Sequence, residues 1–126
     1  MSDKMKKLKK YYSYIKHTIL PYQSSDLGLF SRFDSDNFGH VRENVYCVIC
    51  LWAASLAFKY VDDASGKAYE LEHTAIKCMR SLLQCWMYQT RQVEEFKVNS
   101  DEQSCLSTLF DIHTGKPYEG EYNHLQ

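Results

Sequence analysis

Glycine and proline are scarce in this chain, which contains five glycines and two prolines among 126 residues. A loop that holds a nucleotide phosphate needs several closely spaced glycines, and the sequence has no such cluster. It also lacks the catalytic-loop and metal-binding aspartate motifs of protein kinases. These absences exclude the phosphate-transfer machinery of a kinase from the chain.

Neither sign of charge is in excess, since 16 acidic residues face 15 basic ones and the net charge is −1. That balance gives no bulk attraction to nucleic acid. The longest run without a charged residue covers residues 44–58, which is shorter than the ~20 apolar residues of a membrane-spanning helix. We therefore expect neither a nucleic-acid partner nor a transmembrane segment.

The five cysteines are an odd number and lie in apolar surroundings, which predicts reduced thiols in the cytoplasm. Cys47 and Cys50 have the spacing of a redox pair, but they fall inside an apolar helix, where burial raises the pKa of a thiol. Cys78, Cys85 and Cys105 do not supply a second pair of zinc ligands. We expect core cysteines and no metal site.

The hydrophobic pattern predicts an all-α chain of about three long helices and an irregular tail. Helices are expected over residues 3–23, 41–60 and 68–97, a loop over residues 24–40, and a short strand within residues 106–112. Pro21 should disturb the last turn of the first helix, because proline lacks an N–H. On the third helix, one stripe is expected to face the core: Ala75, Ile76, Met79, Leu82, Leu83, Trp86, Thr90 and Val93.

The second helix is apolar on every side, so it needs cover on every side. Two neighbouring helices cannot provide that cover. We therefore expect residues 1–126 to be the N-terminal part of an incomplete helical domain.

Lysines cluster on the first helix at positions 4, 6, 7, 9, 10 and 16. A basic amphipathic helix can bind acidic lipid, an acidic protein or calmodulin. A solvated helix face is the simpler interpretation.

The acidic residues do not form a recognisable catalytic pair. A glycosidase needs one acid in an apolar pocket and a second across the cleft, and spacing selects no two of the candidates: Glu43, Asp62, Asp63, Glu70, Glu72, Glu119 and Glu121. Two pairs, Glu70 with His73 and Glu121 with His124, have ExxH spacing, but the further inward glutamates of a di-iron bundle are missing. We predict no catalytic residue, no metal and no cofactor.

Five blocks of sequence resemble, in the same order, the N-terminal region of the regulatory subunits of phosphorylase kinase. They are YYSYIKHTILPYQSSDLGLF (residues 11–30), RENVYCVICLWAASLAFKY (42–60), YELEHTAIKCMRSLLQCWMYQTRQVEEFK (69–97), CLSTLFDIHTG (105–115) and EYNHLQ (121–126). The stretches ELEHTAIKCMR and CLSTLFDIHTG resemble the beta type more than the alpha type.

The resemblance implies a non-catalytic regulatory subunit that restrains and scaffolds a separate catalytic gamma subunit in the control of glycogen breakdown, together with alpha and calmodulin chains. It also implies part of a glucoamylase-like (α/α)6 barrel and a cytoplasmic location. Family members associate with the cytoplasmic face of the cell membrane through a C-terminal lipid anchor, which is not in this chain. The alternative is a sugar-binding or glycosidase-like remnant of such a barrel.

The resemblance places Arg42, Glu43 and Asn44 at the start of an inner barrel helix, as a vestigial sugar cleft. Glu43 stands where the alpha-type and glucoamylase-like pattern has Asp. Arg42 lies at the positive end of the helix dipole, which disfavours a cation. We therefore expect Arg42 to have an outside partner, which is either solvent, reached by its long stem, or an acid of the tail such as Glu119 or Glu121.

Overall fold

A computed structural model describes residues 3–32, 37–61, 66–99 and 107–117. This part of the chain contains four α-helices, one 3₁₀ turn and a two-stranded antiparallel sheet. The helices are α1 (Asp3–Thr18), α2 (Val41–Tyr60), α3 (Lys67–Met87) and α4 (Thr90–Asn99), and the strands are β1 (Phe38–His40) and β2 (Leu109–Asp111). The predicted all-α class is confirmed, with the small sheet as its only extended pairing among named elements of the described residues.

α1 ends at Thr18 rather than at residue 23, and a 3₁₀ turn over Leu20–Tyr22 follows it. Proline has no N–H to continue the α-helical hydrogen bonds, and Pro21 lies inside this turn. The Tyr22 N–H bonds instead to the Ile19 carbonyl at 3.1 Å. The expected disturbance by Pro21 is thus confirmed, and the predicted helix end was too late.

The segment predicted as a loop over residues 24–40 contains β1, which corrects that prediction. Gly39 of β1 pairs with Phe110 of β2. A Cβ atom at Gly39 would overlap the carbonyl oxygen of Phe30 and lie 3.0 Å from the Ile112 side chain. Glycine at position 39 therefore lets β1 lie directly against the Phe30 backbone. Hydrophobic periodicity does not reveal this contact.

α2 and α3 pack against each other as an antiparallel pair. The Lys59 ammonium lies 2.6 Å from the Glu72 carboxylate near the connecting turn, and the Cys78 thiol donates to Asn44 Oδ1 at the opposite end of α2. The buried residues of α2 are Asn44, Val48, Leu51, Ser55 and Phe58, and those of α3 are Ala68, Leu71, Ala75, Cys78, Ser81 and Cys85. Small side chains therefore form much of the interface.

The predicted core stripe of α3 was wrong for three of its large residues, although Leu82 packs against the core as predicted. Met79, Leu83 and Trp86 are 51%, 61% and 50% exposed, whereas Ala75 is fully buried as predicted. The pattern followed the largest apolar side chains. Burial instead follows the smaller ones, because these let two helix backbones approach closely.

The third predicted helix is two helices, α3 and α4, with a break at residues 88 and 89. Gln89 is buried, its Oε1 accepts from the Ser107 N–H at 2.5 Å, and its Nε2 donates to the Ser107 carbonyl at 3.2 Å. Thr90 Oγ1 donates to the Met87 carbonyl at 2.7 Å. Ser107, the partner of Gln89, is eighteen residues away. No glycine or proline marks the break either, so no local pattern indicated it.

A broad apolar face remains exposed on one side of the α2–α3 pair. We call it the α2–α3 apolar face, formed by Val45, Ile49, Trp52, Leu56, Met79, Leu83 and Trp86. On α2, Lys59 lies two helical turns after Trp52 and so shares its face. On α3, Glu72 lies two turns before Met79 and shares its face in the same way. Since Lys59 and Glu72 form an ion pair, the two faces adjoin. The expected lack of cover for α2 is observed within the described residues.

α2 is also long and apolar enough to cross a membrane, judged by length and composition alone. Leu51 and Phe58 of α2 are buried in the core. Core helices of soluble proteins meet the same criterion, so this is weak evidence for a membrane span.

The substitution Leu71→Ala should lower the free energy of unfolding by about 2–5 kcal/mol, because it leaves a cavity in the core. Leu83→Ala on the same helix should change it by only about 0.5 kcal/mol, because Leu83 lies on the exposed face. Urea unfolding followed by circular dichroism measures both. Equal losses for the two variants would contradict the assigned core side of α3.

Candidate functional site

A cleft of about 440 Å³ lies at the N-terminal end of α2, against the end of α1. We call it the α2 cleft, and its lining residues are Thr18, Ile19, Tyr22, Phe30, Ser31, Arg32, His40, Glu43 and Cys47. The lining combines apolar walls with a few polar groups, a composition typical of small-molecule sites.

Three of these side chains form a polar row along one wall. Arg32 Nη1 lies 3.1 Å from His40 Nε2, and His40 Nδ1 lies 4.0 Å from Glu43 Oε2. A guanidinium can only donate, so His40 Nε2 accepts and its proton resides on Nδ1, on the side of Glu43. The row therefore runs from a cation through a neutral imidazole to a carboxylate.

Asn44 lies beneath this row and is 1% exposed. Its Oδ1 accepts from the Phe30 N–H at 2.7 Å, and its Nδ2 donates to the carbonyls of Phe30 at 3.0 Å and His40 at 2.8 Å. The amide thus uses both donors and an acceptor within the protein. Its hydrogen bonds fix the residue-30 segment and the end of β1 to the first turn of α2.

The structure separates the three residues predicted for a sugar cleft. Glu43 lines the cleft with half of its side chain exposed, Asn44 supports it from below, and Arg42 is exposed and not among the lining residues. Direct sugar contact stays a prediction. The suggested partners of Arg42, Glu119 and Glu121, lie outside the described residues, as do Cys105 and His124.

Sequence reasoning missed Arg32 and His40 as cleft residues. Arg32 lies in the segment after Phe30, and His40 ends β1 directly before α2. The two come together because Gly39 of β1 packs against the backbone of Phe30. The one local signal was His40 itself, a polar residue directly before an apolar helix.

Among the described cysteines, Cys78 and Cys85 are buried in the core, and Cys47 and Cys50 are half-buried against it. Burial raises the pKa of Cys47 to about 11, with smaller contributions from Cys50 and Glu43, and burial raises the pKa of Cys78 to about 12. A redox pair needs a lowered thiol pKa, so the CxxC spacing at Cys47 and Cys50 does not mark such a site. Within residues 3–32, 37–61, 66–99 and 107–117, no group of three His, Cys, Asp or Glu side chains could hold a metal ion.

The Glu70 and His73 pair serves the start of α3. Both carboxylate oxygens of Glu70 accept from the Tyr12 hydroxyl, at 3.1 and 3.0 Å. Partial burial, followed by the bond to Glu70, raises the pKa of Tyr12. His73 stacks on the Tyr69 ring at 6.0 Å between centroids. Glu70 therefore ties α3 to α1 through Tyr12, whereas His73 packs within its own helix.

Comparison with known proteins agrees with this helical architecture. The family described as glycosyl hydrolases family 15 matches residues 6–126. The chain belongs to this family. Proteins of glycosyl hydrolases family 15 have an (α/α)6 barrel fold, so the described helical hairpin is the kind of unit that the predicted fold requires.

Several curated relatives share the match. The chain is 43% identical, over 98% of its length, to a Drosophila melanogaster protein named probable phosphorylase b kinase regulatory subunit beta. It is 35% identical over 92% to the corresponding alpha protein of that organism, and 34% identical over 89% to the alpha liver isoform of Oryctolagus cuniculus. These matches cover 12%, 10% and 10% of the relatives, so the chain spans about a tenth of their length.

The substitution Asn44→Ala should lower the free energy of unfolding by about 2–4 kcal/mol, because it leaves the buried Phe30 N–H without its acceptor. The control is Gln84→Ala, which removes an exposed amide bonded to the Tyr88 hydroxyl and should cost about 0.5 kcal/mol or less. Thermal and urea unfolding measure both. A loss for Asn44→Ala no larger than that of the control would show that the amide does not hold the cleft floor.

Proposed function

We propose that this chain acts as part of a non-catalytic regulatory subunit of phosphorylase kinase, of the beta type, which restrains and scaffolds the catalytic subunit in the control of glycogen breakdown. The observation that carries the proposal is the identity with the beta-named relative over almost the whole chain. The alpha-named relatives are less similar, at 32–35%, which supports the beta type.

The α2 cleft supports a non-catalytic role. Glycoside hydrolysis needs two carboxyl groups facing each other across the scissile bond, about 5–9.5 Å apart. Among the described lining residues Glu43 is the single carboxylate, and its neighbour in the row is an imidazole. One carboxylate without a partner offers no acid–base pair.

The α2–α3 apolar face supports a scaffolding role. An exposed apolar face of this extent is typical of a contact surface, and Ile49, Leu56 and Leu83 are each at least half exposed on it. We propose that residues 1–126 are the N-terminal part of a larger helical domain and that further helices cover this face. The proposed partners are the alpha, catalytic gamma and calmodulin subunits, in the cytoplasm.

The test is assembly with the purified subunits of phosphorylase kinase. The chain should associate with at least one of the alpha, gamma and calmodulin subunits and lower the rate at which gamma phosphorylates phosphorylase b. Leu83→Glu should weaken association by at least about tenfold, because it places a charge on an apolar contact. Val98→Glu is the matched control, since Val98 is 83% exposed and belongs to α4, which contributes no residue to the face.

Association with none of these subunits, together with an unchanged kinase rate, would reject the proposal. Equal weakening by Leu83→Glu and Val98→Glu would retain the function but reject the α2–α3 apolar face as its surface.

A second candidate function, a sugar-binding remnant, is favoured by the α2 cleft together with the family match. Of the three predicted residues Arg42, Glu43 and Asn44, Glu43 is the proposed sugar contact, since it alone lines the cleft. We expect no release of glucose from maltooligosaccharides, because the acid pair is missing. Calorimetric titration with maltose or acarbose tests binding, with Glu43→Gln as the variant and Glu95→Gln on exposed α4 as the control. Heat that Glu43→Gln abolishes and Glu95→Gln retains would establish the remnant.

A further inference from the structure

We propose that the outer face of α1 binds the surface of anionic phospholipid membranes. Six lysines of this helix are exposed: Lys4, Lys6, Lys7, Lys9, Lys10 and Lys16. Within the part of the chain that the structure describes, none of the six forms a salt bridge with an acidic side chain. Their charges are therefore available to an external anion.

The positive charge is concentrated on this one helix. Six lysines and the single Asp3 give α1 a charge of +5. Because the net charge of the whole chain is −1, the residues outside α1 together carry −6. A balanced total thus conceals one strongly basic element on an acidic protein. Such a separation orients the protein toward an anionic surface.

The fold holds α1 with its lysines outward. Ile15 is buried in the core, and the Tyr12 ring packs edge-on against Phe58 with 6.1 Å between centroids. The Tyr12 hydroxyl also donates to Glu70. The apolar side of α1 therefore faces α2, where it borders an apolar groove of about 500 Å³. None of the six lysines lines that groove, so they lie on the sides of α1 that face away from this contact.

The composition of the face favours a headgroup layer over an acidic protein. All six cations are lysines, whereas recognition of individual carboxylates favours the planar fork of arginine. None of the six lines the α2 cleft, and a convex array of flexible point charges suits a planar, diffuse anion. Tyr11 and Tyr14 are 55% and 56% exposed beside the lysines, and tyrosine is favoured at the level of the headgroups.

Each lysine near an anionic membrane surface strengthens binding by about fivefold. The test is flotation of the full chain with vesicles of phosphatidylcholine, with and without phosphatidylserine. Flotation separates vesicle-bound protein from any aggregate formed through the α2–α3 apolar face. The chain should float with the phosphatidylserine vesicles, and binding should decrease as salt concentration rises.

The variants are matched in charge. Lys6→Gln with Lys10→Gln should reduce binding by at least about tenfold, whereas Lys6→Arg with Lys10→Arg should retain it. Arg91→Gln with Lys97→Gln removes the same charge from α4, where both cations already pair with acids, and should change binding by less than about twofold. Circular dichroism checks that all variants keep their helices.

Equal binding to vesicles without phosphatidylserine, or equal loss in the α1 and α4 variants, would overturn the proposal. So would binding of polyglutamate or duplex DNA by a chain that does not float with phosphatidylserine vesicles, since the face would then serve another polyanion.

Discussion

The side-chain amide of Asn44 is the constraint on which much of this structure depends. It bonds to both backbone groups of Phe30 and to the carbonyl of His40, and it accepts from the Cys78 thiol on α3. Four segments therefore meet at one buried polar group. An unsatisfied buried donor or acceptor costs about 1–3 kcal/mol. Separating any one of the four segments from the Asn44 amide would therefore carry this cost. The walls of the α2 cleft are consequences of this meeting point.

Gln89 plays a comparable part at the other end of α3. Its amide bonds to both backbone groups of Ser107 and so ties the β2 segment to the helix break. The two amides add directional hydrogen bonds to a core in which alanine, serine and cysteine occupy many of the buried positions. Small side chains contribute little buried area each, whereas a buried amide admits one geometry and excludes neighbouring registers.

The sequence predicted the elements whose signals are local. The bounds of α2 follow from an apolar run that ends in a polar turn. The disturbance by Pro21 was also predicted, although α1 ends earlier than expected, at Thr18. The break at Gln89 depends on Ser107, eighteen residues away, and no local pattern contains that information. The core side of α3 was misassigned because a large exposed residue such as Leu83 outweighs a small buried one such as Cys78 in any hydrophobic pattern. Of the cleft, Glu43 came from family resemblance, while Arg32 and His40 required the tertiary structure.

Gly39 also limits how this part of the protein can diverge. The backbone of Phe30 occupies the space that a Cβ at position 39 would need, and the Asn44 amide lies 3.1 Å from the same point. No flexible side-chain end is available to move aside, so even alanine displaces main chain. In contrast, a Cβ at Gly66 would meet open space. Relatives that retain this junction are therefore confined to glycine at position 39, and any other residue there indicates that the junction has been rebuilt.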